Sequence, residues 1–139
     1  MLVFLEEVTS YLDSGYPVDV IYLDFKKAFD KVPHQRLLLK LAAHGISGNV
    51  LKWIENWLRD RKQRVVLNRQ LSEWCQVLSG VPQRSVFGPI LFVIYINDID
   101  DSVTSKLLKF ADDTKIYYKV NSAEGIDSLR TDLHNLVSW

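Results

Sequence analysis

The chain has 139 residues, 47% of them apolar and 12% aromatic, enough for one domain with a packed core and too apolar for a disordered segment. Seventeen Lys/Arg balance seventeen Asp/Glu, so net charge alone does not mark a polyanion-binding protein. Cys75 is the sole cysteine, which excludes an intrachain disulfide and favours an intracellular context, cytoplasm and nucleus not being distinguished. No Cys/His cluster suggests zinc, and His34, His44 and His134 read as surface or core-edge residues. The longest apolar stretch, Ile90 to Ile96, is far too short to span a bilayer, so no membrane partner is expected.

In chain order, residues 2–13 predict a helix with Leu2, Leu5, Val8 and Leu12 on its inward stripe. Ser14-Gly15-Tyr16-Pro17 ends it. Residues 18–24 predict a strand buried on both faces. After the Lys31-Val32-Pro33 break, His34 to Ala43 predicts a helix with Leu37, Leu38 and Leu41 inward and Gly45 as its stop. Ser47 reads as the N-cap of a further helix to Arg59 carrying Val50, Leu51, Ile54, Trp57 and Leu58. Val65–Leu67 and Trp74–Leu78 predict a hairpin, and Ser79 to Arg84 a turn-rich loop. A strongly apolar helix should run from about Phe87 to Ile99, with Gly88 and Pro89 in its first turn. Residues 106–118 predict a hairpin with Asp112-Asp113 at its tip. Ala123 to Trp139 predicts an amphipathic helix with Ile126, Leu129, Leu133, Leu136 and Val137 inward. This order is that of an α+β fold.

Charge is unevenly spread. Residues 1–25 hold five acidic and no basic residues, residues 26–64 ten Lys/Arg against three Asp/Glu, and residues 97–135 eight acidic against five basic. A basic segment beside an acidic one suits a protein that binds a phosphate backbone and gathers cations; it also suits solvated helix faces.

The Asp112-Asp113 pair lies between the apolar runs Leu107–Phe110 and Ile116–Tyr118. Taken alone it reads first as a turn, because Asp tolerates turn conformations. Asp24, which ends the apolar run Val20–Leu23, adds a third carboxylate. An Asp ending a strand and an Asp pair in a hairpin can together hold hard cations through oxygen, as two-metal phosphoryl-transfer sites do.

Three segments then occur in order: Asp24-Phe25-Lys26-Lys27-Ala28-Phe29-Asp30, Gly80-Val81-Pro82-Gln83 and Phe110-Ala111-Asp112-Asp113. Together they resemble motifs A, B and C of reverse transcriptases, most closely those of non-LTR, LINE-like retrotransposons, over about residues 17–139. The resemblance implies one partial reverse transcriptase domain over residues 1–139. Motif A falls at about 18–30, motif B at about 79–89 and motif C at about 107–116. The implied fold is a palm of the right-hand polymerase type, an antiparallel sheet packed on helices, with fingers and thumb largely missing.

The implied activity is RNA-directed DNA polymerisation: nucleotidyl transfer from a dNTP to a primer 3′-hydroxyl on an RNA or DNA template. Two Mg²⁺ or Mn²⁺ ions would serve as cofactors. Asp24 and Asp112 are the implied bridging ligands, Asp113 the third carboxylate, and the Phe25 carbonyl a further metal ligand. Phe29 is the implied aromatic under the incoming sugar, where a ring would exclude a 2′-hydroxyl; an ordinary core role is its alternative. Gln83 is the implied motif-B glutamine near the incoming nucleotide. Lys26 and Lys27 flank the carboxylates, and Arg59, Arg61, Lys62 and Arg64 form a basic run; both groups are candidates for nucleic-acid backbone contact or are exposed solubilising charges.

Two departures from the family pattern stand out. Motif B reads Pro82-Gln83-Arg84-Ser85 where the family has Gly after the Gln, a residue that permits positive φ or close backbone approach. The segments corresponding to fingers, primer grip and thumb are not recognisable. The alternative reading is therefore an inactive retrotransposon-derived fragment that binds nucleic acid or protein at most.

Overall fold

A computed structural model describes residues 2–110 and 113–139. In chain order the elements are α1 (Leu2–Asp13), β1 (Val18–Asp24), a 3-10 turn (Ala28–Asp30), α2 (His34–Ala43), α3 (Gly48–Arg59), β2 (Lys62–Gln63), β3 (Val66–Leu67), β4 (Gln70–Leu71), β5 (Cys75–Gln76), α4 (Phe87–Tyr95), β6 (Lys106–Phe110), β7 (Asp113–Lys119) and α5 (Ala123–Ser138). They form two compact units, Met1–Lys26 with Asn97–Trp139, and Lys27–Ile96. Among the described residues the architecture is mixed α and β, and every strand pairing is antiparallel.

The first unit is built on the sheet β1-β7-β6, with β7 in the centre. Its register runs from Val18 opposite Lys119 to Asp24 opposite Asp113, and from Lys106 opposite Tyr117 to Phe110 opposite Asp113. Successive side chains of β7 face opposite sides, as a pleated strand requires. Ile116 is buried with Ile99, Leu129 and Leu136, and Ile21, Leu23, Phe25 and Leu107 pack against that cluster. On the other side Tyr117 meets α1. Its ring stands edge-on to Phe4, centroids 4.9 Å apart, and its hydroxyl donates to Glu7 Oε2 at 2.6 Å. Burial, and then the Glu7 carboxylate, push the Tyr117 hydroxyl up to about 12.

Two expectations for this unit are corrected. The inward face of α1 is Phe4, Glu7, Val8 and Tyr11, whereas Leu2, Leu5 and Leu12 are exposed. Both stripes have helical spacing; the second wins because it carries the aromatic and the carboxylate that Tyr117 can use. Strand β1 is not buried on both faces: Tyr22 and Asp24 lie exposed on one face and Asp19 on the other, and Lys115 Nζ lies 4.9 Å from the Tyr22 ring centre.

Helix α5 starts at Ser122, whose hydroxyl accepts from the Gly125 N–H at 3.2 Å. Leu129 and Leu136 point inward as expected, but Val137 is exposed and Ile126 largely so. Asp132 takes the intervening inward position. It accepts from the backbone N–H of Thr104 and Ser105 at 3.1 and 2.7 Å and from their hydroxyls at 3.0 and 2.6 Å, locking the approach to β6 onto α5.

In the second unit α2 packs on α3 and on α4. Leu37, Leu41, Ile54, Leu58, Leu91 and Phe92 are buried, in line with the periodicity of each helix. Helix α4 stops at Tyr95 rather than Ile99. The polar Asn97-Asp98 step, which competes for backbone hydrogen bonds, follows immediately. The expected 65–67/74–78 hairpin is instead two nested pairings, β3 with β4 and β2 with β5. Its turn is Asn68-Arg69, both at positive φ (48° and 65°), the conformation of a tight two-residue hairpin turn. Among the described residues no helix is long and apolar enough to cross a membrane.

Candidate active site

The first unit carries the carboxylates. Asp24 is the last residue of β1 and Asp113 the first of β7, and they are direct cross-strand partners. Residues so placed share a face of the sheet, with Cβ atoms about 5 Å apart. Both side chains are exposed. The hairpin that the Asp pair was expected to cap exists, with Phe110 opposite Asp113. Asp112 and Ala111 lie outside the described residues. Among the described residues no three His, Cys, Asp or Glu side chains gather to hold a metal. Two exposed carboxylates on one face nonetheless match the hard-oxygen chemistry of Mg²⁺ or Mn²⁺. Phe25 packs its ring on the Ile116 cluster, anchoring the chain right after Asp24, and Lys26 is exposed.

The second unit carries the motif-B loop. It is clamped by the end of motif A and the residues just after it, Phe29 to Val32. Val81 N–H donates to the Phe29 carbonyl and Gly80 N–H to the Val32 carbonyl, both at 2.7 Å. Ser79 Oγ donates to the Asp30 carbonyl at 2.8 Å, and Gln83 Nε2 donates to Asp30 Oδ1 at 3.1 Å. Gly80 sits at φ 87°, where a Cβ would lie 2.6 Å from the Asp30 backbone, so only glycine permits this approach. The Gly80 carbonyl accepts from His34 Nε2 at 2.9 Å and also from the Arg61 guanidinium.

A cleft of about 660 Å³ opens on this loop, lined among others by Lys27, Asp30, Lys31, Arg61, Gln63 and Gln83. Phe29 is half-buried, its ring centre 4.5 Å from that of Phe92. Arg84, at the departure from the family pattern, has φ 61°, the left-handed region that favours the glycine it replaces.

The basic run has several different roles. Arg61 is half-buried and held by the Leu58 and Gly80 carbonyls; burial lowers its pKa and the Asp30 charge opposes that shift. It is a structural clamp of the loop. Arg64 stacks on Trp74, its guanidinium carbon 4.5 Å from the ring centre. Arg59 pairs with Glu55 at 2.8 Å. Lys27, at φ 57°, lines the cleft, and Lys62 lies exposed in β2. Asp30, Ser79 and His34 were not singled out as site residues in the sequence. The interactions joining Asp30 and His34 to the loop cross 46 to 53 residues of chain, and no local pattern announces them.

Residues 12–139 match the family described as reverse transcriptase (RNA-dependent DNA polymerase), and the chain belongs to that family. It is 31% identical over 131 residues, 88% of its length, to the probable RNA-directed DNA polymerase from transposon X-element of Drosophila melanogaster. It is 31% identical over 127 residues, 85% of its length, to the RNA-directed DNA polymerase from mobile element jockey of Drosophila funebris. A third relative, at 28% identity over 85 residues and 61% of the chain, is the Pol polyprotein from type-1 retrotransposable element R2 of Popillia japonica. The expected kinship with non-LTR, LINE-like retrotransposons is thereby borne out. The chain spans 14% of the length of each of these relatives.

Proposed function

We propose that this chain is the palm-type portion of an RNA-directed DNA polymerase, joining a dNTP to a primer 3′-hydroxyl on an RNA or DNA template. The observation that carries the reading is the cross-strand pairing of Asp24 with Asp113 in a chain of this family. Asp24 and Asp113, with Asp112, would hold two Mg²⁺ or Mn²⁺ ions, and Phe25 would add its carbonyl. Bound there, such ions neutralise charge on the attacking and leaving oxygens of an in-line displacement.

The remaining roles belong to the protein, because phosphoryl transfer depends chiefly on positioning and electrostatics. Phe29, braced by Phe92, would present its ring beneath the sugar and exclude a 2′-hydroxyl. Gln83, on the clamped loop, would contact the incoming nucleotide. Lys26, Lys27 and Lys62 would meet phosphate, and Arg64 would do so while stacked on Trp74. Arg61 supports the loop instead.

The test is incorporation of labelled dTTP on primed poly(rA) with Mg²⁺ or Mn²⁺, comparing the wild type with Asp24→Asn and Asp112→Asn. Incorporation lost in both variants supports the reading; incorporation equal in all three removes it. A second reading, a catalytically silent relative that only binds nucleic acid or protein, is favoured by one observation: Arg84 at φ 61° places a long side chain and backbone strain in the motif-B loop. Wild-type protein that binds primer–template but incorporates nothing, at any metal concentration, would select it.

A further inference from the structure

We infer that Asp30 is a positioning residue that sets the orientation of the Gln83 side-chain amide, so that Gln83 offers an acceptor oxygen to whatever occupies the cleft. The inference about a ligand rests on the proposed function; the geometry between Asp30 and Gln83 does not.

The argument begins with what each group can do. An ionised carboxylate only accepts hydrogen bonds, whereas a glutamine amide presents two donors on one side and an acceptor on the other. The partner at 3.1 Å from Asp30 Oδ1 must therefore be Gln83 Nε2, not Oε1. That contact places Oε1 on the side away from Asp30, and among the described residues it has no partner. Both residues line the same cleft. A free glutamine amide can turn over and present either end; a carboxylate on one side removes that choice.

Three further contacts make the carboxylate a fixed reference. The Asp30 carbonyl accepts from Ser79 Oγ at 2.8 Å. Its backbone is so close to Gly80 that no Cβ fits between them. Its charge faces Arg61, whose guanidinium holds the Gly80 carbonyl. Asp30 thus touches the loop through its backbone and orients Gln83 through its side chain. Asp30→Ala keeps the backbone contacts and deletes the side-chain ones, the bond to Gln83 and the charge facing Arg61.

The first readout is the Gln83 side-chain amide by ¹⁵N–¹H NMR of the full chain, assigned by its disappearance in Gln83→Ala. In the wild type one of its two protons should be shifted downfield of the other by the bond to Asp30. In Asp30→Ala that signature is lost, while the Gly80 and Val81 amides, which bond to the Val32 and Phe29 carbonyls, hold their positions. An unchanged Gln83 amide in Asp30→Ala overturns the inference. Should Asp30→Ala fail to fold, Asp30→Asn is the second variant: its neutral amide accepts more weakly than a carboxylate and can also donate, so the downfield shift of the Gln83 proton should shrink or vanish, and an unchanged Gln83 amide overturns the inference.

The second readout is dTTP affinity. Asp30→Ala should weaken binding roughly fivefold in the wild-type background and leave it unchanged in Gln83→Ala, since a residue acting through another has no effect once that other is gone. Equal losses in both backgrounds overturn the positioning role. If dTTP binds none of the proteins, the polymerase reading fails, and the NMR signature alone decides whether Asp30 orients Gln83.

Discussion

Asp24 and Asp113 face each other across the last rung of the β1–β7 ladder. Like charges directly opposite on antiparallel strands destabilise the pair. A fold selected for stability alone would place an uncharged or oppositely charged residue at one of these positions. A cation held by both carboxylates, as proposed, would offset that repulsion.

Asp24→Asn should therefore stabilise the metal-free protein, by about 0.5 kcal/mol, while abolishing its response to divalent ions. Chemical denaturation with and without Mn²⁺ reads both effects. Wild-type protein should gain stability with Mn²⁺ in proportion to site occupancy, as any ligand of the native state confers. Asp24→Asn should show a higher baseline and no gain. A variant less stable than wild type in the absence of metal would contradict the account.

Arg84→Gly should stabilise the motif-B loop. Holding a non-glycine residue in the left-handed region costs about 1–2 kcal/mol, whereas the extra freedom of glycine in the unfolded chain costs about 0.5–1. The first term is the larger, so a net gain of about 0.5 kcal/mol is expected at φ 61°. Arg84→Ala retains a Cβ and should gain nothing. Urea midpoints for the three proteins decide the point, and equal gains from Gly and Ala would locate the cost in the Arg side chain instead.

Those two predictions use residues that the sequence already singles out, and the reason is chemical. An Asp ending a strand, a doublet of Asp in a hairpin and an Arg where glycine is expected each violate a local rule, and local rules are what a sequence displays. Helix α2 was legible to the residue because one leucine stripe admits a single answer. Helix α1 offered two stripes, and Tyr117, more than a hundred residues away, chose between them. The hairpin expected from 65–67 and 74–78 had the wrong partners, because Asn68-Arg69 does not announce a positive-φ turn as Asn-Gly would. The Asp30 clamp on the motif-B loop and the role of Arg61 were not legible at all, since each depends on the approach of two distant segments.

Asp132 is illegible in the sequence for a related reason: it stands between Leu129 and Leu136 with no nearby residue to mark its partners. It is 2% exposed and accepts four hydrogen bonds from Thr104 and Ser105. Burial raises its pKa, but the bonds from Ser105 and Thr104 outweigh burial and hold it below the ordinary 3.8. A carboxyl depressed in the folded state contributes stability that is fully present above its unfolded pKa and lost as pH falls through its folded value. The loss should therefore fall below about pH 4. Asp132→Asn puts an N–H against donors and should cost about 2 kcal/mol at neutral pH. The difference between wild type and Asp132→Asn in urea should shrink as the pH is lowered from 5 to 2.5. A constant difference would mean that the carboxylate charge contributes nothing.

Thr114, next to Asp113, is 1% exposed, and its Oγ1 has no hydrogen-bond partner among the described residues. A buried hydroxyl without a partner costs about 1–3 kcal/mol. Valine has the same branched shape and suits a strand equally well. Thr114→Val should thus raise stability by about 1 kcal/mol, measured as a shift in urea midpoint without a change in slope. Serine keeps the hydroxyl and loses the methyl, so Thr114→Ser should lower stability by a similar amount through the gap it leaves. The two substitutions moving in opposite directions would show that this strand position is held by packing, and that the hydroxyl works against the fold one residue from the proposed metal ligand. If Thr114→Val is instead the damaging change, the hydroxyl is satisfied in solution and the account fails.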